Sequence, residues 1–206
     1  LEPVFWISSP SGVSVRITGL KNGPGLIGQT SLAMDINGNA LVCEGSDYAY
    51  KICTPSGDIH PIAIPPAYPP QAHTMNREGY IGGSVSPSKG GFAYGASTNG
   101  QYHVFGFQDS EHTGPGGKRE SSVSHWTSSG QFGGVSQRYA STDSPGSNEL
   151  SAWTGNLTAG ATTRVGLLGP DFISSTGKMY SYISCLAEDG WCSGVSISYK
   201  NYTRKC

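Results

Sequence analysis

A glycine-centred turn between two apolar segments recurs along this chain and limits what the chain can fold into. In each copy an apolar or β-branched residue leads into the turn, and an apolar or aromatic run leaves it. The four copies have their glycines at Gly38, Gly79, Gly130 and Gly177, which are 41, 51 and 47 residues apart. Repeats of this length are typical of stacked or radial supersecondary units.

A second motif alternates with the first along the chain. It consists of an aromatic residue, a glycine turn six or seven residues later, and alternating apolar residues after the turn. Its copies are Trp6 with Gly12, Tyr50 with Gly57, Tyr94 with Gly100, and Trp153 with Gly160. Together the two motifs predict a unit of four strands, formed by a hairpin, a connection and a second hairpin.

The composition favours a turn-rich all-β protein. The 206 residues include 30 Gly and 13 Pro, and only 13% are charged. The formal net charge of −1 gives no electrostatic reason to expect nucleic acid as a partner. No apolar run is long enough to span a bilayer, so we expect no membrane insertion. The chain opens at Leu1 without Met, from which we expect a mature product or an excised domain.

Five cysteines predict disulfides and an oxidising compartment. Cys43 and Cys53 lie on strands expected to be neighbours, and Cys185 and Cys192 flank a turn-like segment, so we predict these two pairs. The pairing of Cys206 stays open. The cysteine spacings differ from those of zinc sites, and we predict neither a metal nor a cofactor. An oxidising compartment indicates an extracellular, secreted or virion-surface protein.

A four-stranded unit of about 45 residues repeated around a ring is a propeller blade. We therefore predict one domain over residues 1–206, a small β-propeller of four or five blades closed by the chain termini. Five blades are narrowly preferred. An open array and a two-sheet β-sandwich are the structural alternatives, and little or no helix is expected.

Three segments resemble the HAF-type repeats of extracellular bacterial and phage proteins. They are residues 4–12, Met34 to Asn39, and Met75 to Gly83. The later copies around Gly130 and Gly177 lack the asparagine of the motif. The resemblance implies a propeller-like surface protein and supplies no catalytic residues.

No motif in the chain indicates catalysis. The Gly-x-Ser-x-Gly elbow of serine hydrolases is absent, and the carboxylates are scattered without a recurring position. We therefore expect no catalysis. A small secreted polysaccharide hydrolase that uses Asp35 or Glu78 is the alternative.

The aromatic residues and the long loops suggest binding instead. The chain has 11 Tyr, 4 Trp and 6 Phe, whose flat faces stack on sugars and anchor protein interfaces. Loops rich in Pro and Gly interrupt the repeats at residues 64–70, 110–120 and 141–148. The predicted ligand-binding residues lie in or near these loops or outside the repeated core positions: Trp191, Tyr68, Tyr139, Trp126 and His112.

We therefore expect an extracellular or virion-surface module that binds a cell-surface glycan or a protein receptor, without catalysis. The hydrolase is the second hypothesis. The third is a structural domain of a larger surface or tail protein. The sequence also allows an oligomer.

Overall fold

The computed structural model describes residues 5–20, 30–44, 49–62, 70–85, 90–142 and 149–199. Within these ranges every regular element longer than three residues is a β-strand. Single-turn 3₁₀ helices occur at Ser110–His112, Pro115–Gly117 and Pro170–Phe172. The predicted all-β class is therefore confirmed, as is the near absence of helix in the described chain.

The described strands are, in order, β1 (Trp6–Ser8), β2 (Ser14–Arg16), β3 (Thr30–Met34), β4 (Ala40–Glu44), β5 (Ala49–Cys53), β6 (Ile59–Pro61), β7 (Pro70–Met75), β8 (Tyr80–Val85), β9 (Gly90–Ser97), β10 (Tyr102–Phe105), β11 (Arg119–Trp126), β12 (Gln131–Gln137), β13 (Leu150–Asn156), β14 (Ala161–Arg164), β15 (Ser181–Leu186) and β16 (Cys192–Ser196).

Three antiparallel meanders of four strands form the body of the molecule, and one hairpin lies at each end. We call β3–β6 sheet I, β7–β10 sheet II and β11–β14 sheet III. The N-terminal hairpin is β1–β2, and the C-terminal hairpin is β15–β16. A two-residue parallel pairing of β11 with β9 joins sheets II and III. The four-stranded unit predicted from the motifs is therefore present three times in the described chain.

The turn prediction is confirmed for the first motif at Gly38, Gly79 and Gly130, each of which lies in a hairpin turn between paired strands. The prediction for Gly177 is wrong. Residues 174–178 form a turn with the same hydrogen bonds, but this turn lies between loops and joins no pair of described strands. The corresponding hairpin turn is instead at Gly190, between β15 and β16.

The sheets stack face to face, and alternate residues of one strand supply two different cores. On β4, Ala40 and Val42 pack against the N-terminal hairpin, whereas Leu41 packs in the core that contains residues of sheet II. On β9, Tyr94 faces the core shared with sheet I, and Ala93 faces the core shared with sheet III. Sheets I and II are therefore buried on both faces, which explains their long apolar segments.

The two ends of the strands differ. In a meander, the turn after the first strand and the turn after the third strand lie at the same end of the sheet. The hairpin turns of the two motifs lie at this end, which we call the short-turn end. The connections at residues 106–118, 138–149 and 165–180 lie at the opposite, long-loop end, with 143–148 outside the described ranges. Among the described strands, β1 and β16 are each paired on one side only.

Candidate functional site

The hairpin turns of the short-turn end share one chemical design. In all of them except the turn between β13 and β14, the first residue donates its N–H to the carbonyl of the fifth residue, and the glycine at the fourth position donates its N–H back to the first. In the exception Gly160 is the fifth residue and donates its N–H to the Asn156 carbonyl. A left-handed φ, 81° at Gly38 and 75° at Gly130, makes glycine necessary at the fourth position. A Ser, Thr, Asn or Asp at the first position usually accepts the fifth residue's N–H, as Thr127 does from Gln131 at 3.1 Å.

Hydrogen bonds between neighbouring turns hold the short-turn end together. The Ile36 N–H donates to the Arg77 carbonyl at 2.6 Å, and the Asn76 side chain donates to the Thr127 carbonyl at 2.8 Å. Glu188 links the turn of the C-terminal hairpin to the first turn of sheet III, because its carboxylate accepts hydrogen bonds from the N–H groups of Ser128 and Ser129. The turns of sheets I, II and III and of the C-terminal hairpin therefore form one continuous row.

Glu188 keeps its charge through this contact. The hydroxyl and the N–H of Ser128 lower the pKa of the Glu188 carboxyl because they stabilise its ionised form. The fixed turn carries Trp191, whose side chain is 79% exposed. An exposed Trp held on a hydrogen-bonded turn is available for contact with a partner at little conformational cost.

An apolar cavity of about 570 Å³ opens at the same end, between the N-terminal hairpin and sheet I. Its lining includes Val13, Met34 and Ile36, which are 64%, 48% and 61% exposed. Its size lies within the range of ligand pockets. The short-turn end therefore combines a rigid backbone with exposed aliphatic and aromatic side chains.

The long-loop end contains a chain of three side chains of the kind used in serine hydrolases. Asp109 Oδ1 lies 2.6 Å from His112 Nδ1, and His112 Nε2 lies 2.8 Å from Ser151 Oγ. Burial lowers the pKa of His112, although the Asp109 carboxylate opposes that shift. The pairing brings together residues 39 positions apart in the chain, which no local motif indicates.

The burial of these three groups is the reverse of what hydrolysis requires. Ser151 is 0% and His112 1% exposed, whereas the side chain of Asp109 is 49% exposed. A nucleophile must reach a substrate, and the orienting carboxylate is normally the buried member. The arrangement instead fastens loop 106–118 to β13, and the Phe107 ring packs on the imidazole at 4.7 Å.

An ion-pair network fastens the other long loops. Arg138 is nearly buried and contacts Glu111 at 3.3 Å, the fully buried Glu149 at 3.4 Å and the Gly177 carbonyl. Burial raises the pKa of Glu111, but the Arg138 hydrogen bond and the Arg138 and Arg164 charges outweigh it and hold that pKa below its ordinary value. The network is therefore structural and explains the position of the Gly177 turn.

The predicted ligand-binding residues do not form one site. Trp191 lies at the short-turn end, and the Trp126 ring covers Gly82 between sheets II and III. Tyr139 is half-buried at the long-loop end, where its hydroxyl donates to Glu120 at 3.0 Å, and His112 is buried nearby. Tyr68 lies outside the described residues. Their roles in binding stay predictions.

The strand register separates the predicted disulfide partners. Cys43 lies opposite Tyr50 and Cys53 opposite Ala40, so these two side chains point to opposite faces of sheet I. Cys192 lies opposite Leu186, one residue from Cys185, which again places the pair on opposite faces. Both disulfides stay predictions. An offset of one or three residues reverses the face on which a side chain lies, and sequence spacing does not reveal it.

The carboxylates proposed for hydrolysis have other surroundings. Asp35 is 5% exposed, and its oxygens accept from the Asn37 and Asn39 N–H groups, the Asn39 amide and the Thr98 hydroxyl. Asp35 therefore stabilises its own turn. Glu78 is exposed at the tip of the next turn.

In the ranges that the structure describes, no three His, Cys, Asp or Glu side chains are placed to share a metal ion. The same ranges contain no helix long and apolar enough to cross a membrane. No protein-family model matches the chain, and a comparison with curated proteins finds no similar sequence.

Proposed function

We propose that this protein is an extracellular or virion-surface module that binds a protein receptor or a glycan and has no catalytic activity. The observation that carries this proposal is the exposure of Trp191, Ile36 and Val13 on the hydrogen-bonded turns of the short-turn end.

The chemistry of these side chains suits recognition. A Trp ring stacks on the apolar face of a sugar or fills a pocket on a protein partner. Exposed aliphatic side chains beside an apolar cavity suit a protein surface better than a sugar. The fixed turns reduce the entropy lost on binding, since the anchors are already ordered. A protein receptor is therefore the preferred partner.

Non-catalytic binding also agrees with the state of the candidate catalytic groups. Ser151 is buried, and four donors occupy the Asp35 carboxylate. A polysaccharide hydrolase that uses residues other than Ser151 and Asp35 is the alternative. A structural role in a larger surface protein is the third hypothesis.

We further propose that the sheets belong to a small β-propeller with four blades. In a two-layer sandwich each sheet keeps one face towards solvent. Sheets I and II instead have cores on both faces, as blades of a ring do. Sheets I to III would supply three blades, and the two terminal hairpins together would supply the fourth.

Binding to cells and to a glycan array tests the function. We expect the native protein to bind, and Trp191→Ala combined with Ile36→Ser to weaken binding at least about ten-fold, as loss of hot-spot anchors does. Leu167→Ser is the matched control, since Leu167 is 57% exposed but lies at the long-loop end. A folded native protein that binds neither cells nor glycans contradicts the proposal, and so does full binding by the double variant.

A further inference from the structure

The C-terminal hairpin has the geometry of the first half of a sheet. The first strands of sheets I, II and III each carry a β-bulge three residues before the hairpin turn, at residues 32, 73 and 124. Strand β15 has the same bulge at Ser184, three residues before the turn that begins at Ala187. Strands β15 and β16 are therefore equivalent to the first two strands of each meander.

The N-terminal hairpin has the geometry of the second half. Its turn from Ser9 to Val13 has the hydrogen bonds of the turn from Ser97 to Gln101 in sheet II. Trp6 lies three residues before its turn, where β9 has Tyr94 and β13 has Trp153. The two hairpins together contain the four strands of one sheet.

Both hairpins expose groups that are buried in the complete sheets. Tyr94 and Trp153 are 0% exposed, whereas Trp6 is 60% exposed. Val195 of β16 is 44% exposed, although the second strand is an interior strand in sheets I to III. Among the described strands, none lies beside β16 in the position of a third strand, and none lies beside β1 in the position of a second strand.

A cavity marks the place where that third strand belongs. The Trp153 ring of sheet III stacks on Phe105 of sheet II, and Phe105 is paired with Ala93 on the neighbouring strand. The pair of sheet III that corresponds to Ala93 and Phe105 is Ala152 with Val165, joined by a 3.1 Å hydrogen bond.

Ala152 and Val165 line a cavity of about 290 Å³, whose lining also includes Tyr182 of β15 and Gly194 of β16. The corresponding place between sheets II and III is filled by Trp153, which lies three residues before its turn, as Trp6 does.

The register of the missing pairing follows from the complete sheets. In sheet II Gly83 lies opposite Tyr94, and in sheet III Gly134 lies opposite Trp153. Counting from the turns, Gly194 takes the position of these glycines. Trp6 takes the position of the aromatic residues.

We propose that β1 pairs antiparallel with β16 of the same chain, with Gly194 opposite Trp6 and Cys192 opposite Ser8, and that Trp6 fills the cavity at Ala152 and Val165. This pairing closes the stack into a ring and covers two strand edges that would otherwise invite intermolecular pairing. It does not depend on what the protein binds.

Pairing within one chain is favoured over pairing between two copies. The N-terminal hairpin already packs on sheet I through Ile7 and Ile17, and the C-terminal hairpin lies against sheet III, as shown by Ile183 beside Gly133. Tethering through the intervening sheets gives the two edges a high effective concentration for each other.

Cross-linking through the native Cys192 tests the register. Paired residues on antiparallel strands have Cα atoms about 4.5–5.5 Å apart, which is within disulfide range. Ser8→Cys therefore forms a disulfide with Cys192 under mild oxidation. The control is Ser14→Cys, which lies on β2 opposite Ser8 and hence one strand, about 4.8 Å, further from β16. Cys185→Ser and Cys206→Ser remove competing thiols in both variants.

We expect the Ser8→Cys disulfide to form within single chains, at least about ten times faster than the Ser14→Cys disulfide. Peptide mass spectrometry identifies the linked pair. Adding Trp6→Ala slows the reaction, whereas adding Leu168→Ala, at an exposed residue of the long-loop end, leaves it unchanged. Equal rates for Ser8→Cys and Ser14→Cys overturn the register, and disulfide-linked dimers overturn pairing within one chain. Neither outcome depends on binding activity, which is tested separately.

Discussion

Replacing Gly95 by Ala tests how closely sheets II and III approach each other. Gly95 lies on β9, where a Cβ atom would be 2.7 Å from both the Phe105 and the Phe132 rings. Ordinary van der Waals contact begins at 3.4 Å, so the added methyl group is about 0.7 Å too close to each ring. The two rings stack with centroids 5.2 Å apart, and Phe105 also stacks on Trp153 with centroids 5.5 Å apart.

Overpacking a core by one carbon costs about 1–3 kcal/mol, and we expect Gly95→Ala to lower the free energy of unfolding by about 2 kcal/mol. For a domain of this size the midpoint of thermal unfolding then falls by roughly 4–8 °C. Circular dichroism during heating and urea titration measure both quantities. Gly169→Ala is the control, because its Cβ meets no atom within 4 Å and its φ of −72° suits alanine.

A second substitution separates packing from other effects. Phe132→Leu makes room beside Gly95, so it costs less in the Gly95→Ala background than in the native protein, with a coupling of about 1 kcal/mol. If Gly95→Ala changes stability no more than Gly169→Ala does, or if the two substitutions are additive, the close approach of these sheets is refuted.

Three further predictions concern the core and the long loops. Trp153→Ala removes a fully buried ring and lowers the unfolding free energy by about 3–5 kcal/mol in urea titration; a loss below about 1 kcal/mol contradicts its burial. Arg138→Met leaves Glu149 buried without the guanidinium and costs about 3–5 kcal/mol, whereas a neutral result shows that this ion pair is dispensable. Burial lowers the pKa of His112 in the folded state. The contribution of His112 to the unfolding free energy is therefore fully present above the unfolded pKa of about 6.5, and the unfolding free energy decreases as the pH falls from there towards the lowered pKa. His112→Gln flattens that decrease below about pH 6.5, and an unchanged slope in His112→Gln refutes the assignment.

The turns were predictable from the sequence because their chemistry is local. A glycine with positive φ and an aromatic residue at a fixed distance are both visible in the chain, and they located the hairpins of sheets I to III. The polar first residue of most of these turns, such as Thr127, is a further local signal.

The same local chemistry explains the error at Gly177. Its turn begins with Ser174, whose hydroxyl accepts from the Lys178 N–H as in a hairpin turn. The hairpin turn at Gly190 begins with Ala187, which offers no such side chain. Turn chemistry therefore cannot show whether the flanking segments find strand partners, which depends on packing.

The long-loop end was not predictable, because its contacts join distant parts of the chain. Asp109 and His112 meet Ser151 only after loop 106–118 folds onto β13. The placement of the cysteines depends on a similarly non-local property, since strand register decides which face a side chain occupies.

Hydrogen exchange of the β16 amides tests ring closure most directly. In a hairpin whose outer edge is free, every second amide of residues Cys192–Ser196 points to solvent and exchanges rapidly. If β1 covers that edge, all of these amides exchange as slowly as their counterparts in β12, an interior strand of sheet III. Slow exchange throughout β16, lost in the Trp6→Ala variant, is the expected result. Rapid exchange of alternate β16 amides in the native protein contradicts a closed four-bladed ring.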